Sequence, residues 1–110
     1  YIMADKLAVI ILSGNENRDR ALLGLKFALH TTIGTRVVLF GAAEKLAAED
    51  DEFKGLVKQL IDKNIIPVAC VNIADEENIK ERLLELKINL KPVGALISDY
   101  VKDGYAPITF

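Results

Sequence analysis

Leu7-Ala8-Val9-Ile10-Ile11-Leu12 carries no polar residue on either of its alternating sides. A strand reads this way when both faces are covered, as in a parallel sheet packed under helices. Ser13-Gly14-Asn15-Glu16-Asn17 breaks the run, and Asn17 or Asp19 is placed to cap the helix that follows. In that helix Leu22, Leu25 and Leu29 form one stripe, widened by Phe27 and Ala28, with Gly34 as the stop.

The pattern then repeats. Arg36-Val37-Val38-Leu39-Phe40 is the second strand, closed by Gly41, and residues 42–48 form an alanine-rich turn or short helix. Phe53, Leu56, Val57, Leu60 and Ile61 make the cleanest helical stripe, behind the acidic run Glu49-Asp50-Asp51-Glu52, which suits a helix N-terminus. Residues 65–71 read as the third strand, with Pro67 near its start. Asp75-Glu76-Glu77 is expected to open a helix burying Ile79, Leu83 and Leu86. Lys91-Pro92-Val93 is a stub of strand, residues 95–102 a short helix ended by Gly104, and residues 105–110 a final strand. Strand and helix alternating along one chain imply right-handed crossovers. The expected fold is α/β: a three-layer helix-sheet-helix sandwich around a mostly parallel sheet.

Composition narrows the function classes. The 110 residues form a single domain over 1–110, with Tyr1 and Ile2, ahead of Met3, expected to stand outside the fold. Fourteen Lys and Arg against sixteen Asp and Glu leave a net charge of -2, which points away from nucleic acid. Mean hydropathy is +0.23, too apolar for disorder, yet no apolar run approaches the length of a membrane span. With no leader segment visible at the N-terminus, a cytoplasmic protein is expected. The aliphatic-rich surface such a small domain must expose points to a homo-oligomer.

Ligands in open parallel sheets gather at the carboxyl ends of the strands. Ser13-Gly14-Asn15, Gly41-Ala42 and Cys70-Val71-Asn72 lie there, so Ser13, Gly14, Asn15, Gly41 and Asn72 are the candidate binding residues. Cys70 is the lone cysteine and the candidate catalytic residue. The amide ends of a helix favour a thiolate, the form that attacks sulfur or carbonyl carbon. Free cysteine is equally at home as a small buried hydrophobe, and the apolar Val68 and Ala69 before Cys70 suit that role. One cysteine excludes a CxxC redox pair and a cysteine-based zinc site, and no metal or other cofactor is expected.

The remaining groups argue against hydrolysis. His30 closes the first helix, at the opposite edge of the sheet from Cys70, so a Cys–His pair is not expected. Ser13 has no GxSxG elbow, and the loop has neither a GxGxxG series nor a GxxxxGK[ST] run. Its expected role is a capped turn or the floor of a pocket facing Cys70. Tyr100 and Tyr105 read as rim or interface aromatics. A thiol with no acid–base partner and no resolving cysteine suits carriage of sulfane sulfur as a persulfide.

The chain resembles the DsrE/DsrF-like family of small sulfur-relay proteins. The likeness lies in the apolar strand of residues 6–13, the alanine/leucine-rich helix of residues 20–29 and Val37–Phe40 closing on Gly41. It continues through Pro67-Val68-Ala69-Cys70-Val71 and the closing Asp103-Gly104-Tyr105-Ala106-Pro107-Ile108-Thr109-Phe110, essentially the whole chain. The resemblance implies a flavodoxin-like sheet, assembly into trimers or hexamers, and active thiols near subunit contacts. It implies that Cys70, matching the family's cysteine at the end of the third strand, takes sulfur from a donor protein and passes it to an acceptor thiol. The alternative is a small-anion- or nucleotide-binding or regulatory subunit in which Cys70 is core packing. A purely structural partner subunit is a third possibility.

Overall fold

In a computed structural model, which describes residues 5–110, five strands and six α-helices alternate along the chain. Tyr1 and Ile2, expected to stand outside the fold, lie outside the described residues. Strands β1 (Lys6–Ile11), β2 (Gly34–Leu39), β3 (Val68–Cys70), β4 (Asn89–Lys91) and β5 (Ala106–Thr109) form one sheet in the order β4-β3-β2-β1-β5. Every pairing is parallel. The connecting helices are α1 (Arg18–His30), α2 (Ala42–Glu49), α3 (Asp51–Asp62), α4 (Val71–Glu76), α5 (Lys80–Glu85) and α6 (Val93–Lys102). This is the three-layer α/β sandwich expected from the apolar runs, flavodoxin-like in its layering.

The two faces of the sheet are unequally covered. Val9, Ile11, Val37, Leu39 and Ala69 face the large core, closed by buried residues of α1, α2, α3 and α5. Ile10, Val38 and Cys70 face the other way, into a small cluster with Val93 and the half-buried Ile73, Leu96, Ile97 and Tyr100. Alternation along each strand makes this division. Helix α6 thus supplies most of the second outer layer, and Val93 is its one buried residue.

Side-chain caps mark where α1 and α3 begin. Asn17 Oδ1 accepts the Arg20 amide at 3.3 Å, so Asn17, not Asp19, starts α1 after a 3-10 turn at Asn15–Asn17. Asp50 accepts the Phe53 amide at 2.9 Å at the head of α3 and pairs with Arg18 at 2.6 Å. That hydrogen bond to Arg18 holds the Asp50 carboxyl below its ordinary range. The acidic run is therefore a helix cap, as its position predicted.

Several boundaries differ from expectation. Helix α1 stops at His30, and Gly34, expected as its stop, instead opens β2, which ends at Leu39. The third strand shortens to Val68–Cys70, because Pro67 has no amide to give a ladder and Val71 already belongs to α4. Asp75-Glu76-Glu77 ends a helix where one was expected to open. Asn78 adopts φ 57°, and the Ile79 amide bonds back to Ala74 O at 3.0 Å, a Schellman closure that splits the segment into α4 and α5. The stub expected at residues 91–93 is instead β4, with α6 beginning immediately after Pro92. None of the described helices is long and apolar enough to cross a membrane.

Candidate functional site

The chain runs β1 to β4 outward in one direction and returns to place β5 beside β1. The strand order therefore reverses between β1 and β5, where a ligand crevice is expected in such sheets. Here the chain fills that place itself. The Leu12 and Ser13 amides donate to Phe110 O at 2.8 and 3.2 Å, and the Phe110 ring lies 5.5 Å from that of Phe27. The Ser13 amide is already bonded.

Gly14 and Gly41 have structural duties that account for their being glycine. A Cβ on Gly14 would lie 2.6 Å from Ala42 O, so the loops after β1 and β2 touch through a gap that only glycine permits. The Gly14 amide donates to both carboxylate oxygens of Glu16, at 2.9 Å to Oε2. An internal carboxylate thus sits where this loop would offer an amide to an anion. Gly41 has φ 75°, a left-handed conformation that a side chain would strain. Asn15 and Asn72 are exposed, one opening the 3-10 turn and the other in the first turn of α4.

Cys70 ends β3 and is the residue from which α4 starts. Its expected place at the sheet mouth is correct along the strand. Its side chain, however, falls on the α6 face, 6% exposed and packed with Ile10, Val38 and Val93. The Ser13-Gly14-Asn15 loop follows β1, two strands away from β3, and does not form a common pocket floor with the thiol. Lys91 is the register partner of Cys70 and shares its face of the sheet. His30, the last residue of α1, is exposed and remote from the carboxyl ends.

Glu44 is the site residue that sequence reasoning missed. It lies at the third position of α2, with no surface exposed, among Ala43, Leu46, Ala47 and Ala48. Its Oε2 accepts the Gly41 amide at 3.0 Å, whereas Oε1 has no hydrogen-bond partner. Burial is the largest influence and pushes the carboxyl up to about 7. The Gly41 and Cys70 amides pull the other way, though the Cys70 amide forms no hydrogen bond that satisfies Oε1, and the Glu77 charge adds to the rise. The group therefore closes the turn after β2 through the Gly41 amide and changes charge near neutrality. The available signal was Gly41-x-x-Glu44 at a strand end, the spacing at which a glutamate reaches back to a helix-capping amide. Among the described residues, no group of three or more His, Cys, Asp and Glu is arranged to hold a metal ion.

No family model matches the chain, and no curated protein does. Solved structures do. The chain is similar to the conserved protein of unknown function BT1422 from Bacteroides thetaiotaomicron, with TM-score 0.80 and 21% identity over 100% of both chains. It is similar to the protein of unknown function MTH1491 from Methanobacterium thermoautotrophicum, with TM-score 0.75 and 20% identity over 96% of this chain and 98% of that one. The ychN protein from E. coli gives TM-score 0.73 at 12% identity, over 96% and 99% respectively. At these identities the likeness is one of fold.

Proposed function

We propose that the protein is a cytoplasmic, homo-oligomeric sulfur carrier of the DsrE/DsrF-like kind, in which Cys70 holds sulfane sulfur. The observation that carries this is the position of the chain's lone thiol, where β3 ends and α4 starts, under a helix anchored by one buried residue. The Cys70 thiolate attacks the outer sulfur of a donor persulfide, R–S–SH. A new S–S bond forms on Cys70, the donor's S–S bond breaks, and R–SH leaves with the proton. Transfer to an acceptor thiol is the same exchange in reverse, so no external oxidant or reductant is consumed.

The 6% exposure of Cys70 makes α6 part of the chemistry. A helix with so little buried surface is the kind of element that opens locally without global unfolding. Opening α6 uncovers the thiol. Exposed apolar residues, among them Leu12, Leu23, Phe40 and Val101, supply surface for a homo-oligomer.

The apolar packing of Cys70 favours a second reading, an anion-binding or regulatory domain in which the thiol is filler. Alkylation kinetics separate the two. A carrier reacts in native buffer at a rate set by local opening, whereas filler reacts only as the whole domain unfolds.

A further inference from the structure

A groove of about 350 Å³ opens on the same sheet face as Cys70, between Ile66 ahead of β3 and Lys91 at the end of β4. Its floor is Ile66 and Val68, with Leu96 and Tyr100 of α6 as one wall. Arg36 and Lys91, on the strands either side of β3, bring cations to it. Strand alternation sets this up: Val38 pairs with Val68, Val68 with Asn89, and Cys70 with Lys91, so Arg36, Asn89 and Lys91 fall on one face.

The charge pattern distinguishes this groove. Three other surface grooves mix cations with carboxylates: Asp75 and Glu81 with Lys80 and Arg82, Glu49, Asp51 and Glu85 with Lys54 and Lys58, and Asp19 and Glu52 with Arg18 and Lys26. No carboxylate lines the groove between Arg36 and Lys91, in a chain whose net charge is -2. Among the described residues neither cation has a carboxylate within ion-pair distance. The Arg36 guanidinium rests 5.9 Å from the Tyr105 ring, and that ring lies 5.2 Å from Tyr100. Two unpaired cations, a phenol wall and an aliphatic floor within one groove are the complement of a charged group joined to an apolar body.

We infer that this groove binds a small organic anion, a phosphate or carboxylate carried on a planar apolar body. The charge is met by Arg36 and Lys91, and the body lies between Val68, Leu96 and Tyr100. Binding here does not use the thiol and stands independently of sulfur carriage.

Titration of the intact chain with phenyl phosphate, benzoate and inorganic phosphate, followed by amide NMR shifts, tests it. The aromatic anions are expected to bind saturably, shifting the amides of Val68, Asn89 and Leu96. Inorganic phosphate, which leaves the apolar floor unused, is expected to bind more weakly. Affinity for phenyl phosphate is expected to fall about tenfold in the double variant Arg36→Gln/Lys91→Gln and to weaken with added salt. Both replaced side chains are exposed, so the variant keeps its fold. Phenyl phosphate against benzoate decides which anionic group is preferred. Absence of saturable shifts up to about 10 mM, or wild-type affinity in the double variant, overturns the assignment. Inorganic phosphate binding as tightly as phenyl phosphate overturns the organic class.

Discussion

The Gly41 amide donates to Glu44 Oε2 at 3.0 Å while the other carboxyl oxygen, buried in the same turn, has no partner. Burial makes this carboxyl resist ionisation, against the opposing pull of the Gly41 amide, and its rise to about 7 couples stability to pH. The folded chain keeps the Glu44 proton over a range in which the unfolded chain has lost it. Stability from this group is therefore full at acid pH and is lost as pH rises through neutrality. Glu44→Gln, which cannot ionise, removes that loss. Relative to wild type, the variant should gain about 1–3 kcal/mol between about pH 5 and about pH 8. Urea denaturation at the two pH values measures it, and parallel pH profiles for the two proteins would contradict it.

Cys70 and Val93 pack in the same small cluster, and Val93 is the only buried residue of α6. Val93→Ala should loosen that helix and speed alkylation of Cys70 in native buffer by about fivefold to tenfold. Leu56→Ala, buried in the opposite core, should change the rate much less where labelling proceeds through local opening. Equal effects of the two variants would show that the thiol is reached only by global unfolding.

Much of this architecture was legible in the sequence. Where both faces of a strand are covered, polar residues vanish from it, and residues 7–12 and 37–40 said so directly. The amphipathic stripe from Phe53 to Ile61 and the acidic cap at Asp50 were equally plain. Asp75-Glu76-Glu77 misled, because acidic residues suit a helix start, while the stop depended on Asn78 accepting a left-handed backbone. β4 was hard to read because Asn89 and Lys91, exposed on an edge strand, leave only Leu90 partly buried. In the site, the position of Cys70 along β3 could be inferred, but its face could not, since one residue of register reverses it. Glu44 was obscured because its burial comes from tertiary packing of the alanines around it, which no local pattern announces.

Gly14 and Ala42 bring the first two loops into contact, with space for no side chain between them. Gly14→Ala should cost about 2–4 kcal/mol in urea denaturation, because the obstacle is backbone and cannot swing aside. Asn15→Ala, at an exposed neighbour, should stay within about 0.5 kcal/mol of wild type. A Gly14→Ala protein as stable as Asn15→Ala would show that the loops separate freely.

Sulfur loading is the most direct measurement on Cys70. The native protein, incubated with polysulfide and freed of excess reagent, is weighed intact by mass spectrometry. A gain of about 32 Da, one sulfur atom, is predicted for wild type, removed by dithiothreitol and absent from Cys70→Ser. A wild-type mass that never changes under native conditions, with the adduct forming only once the chain is denatured, would contradict sulfur carriage.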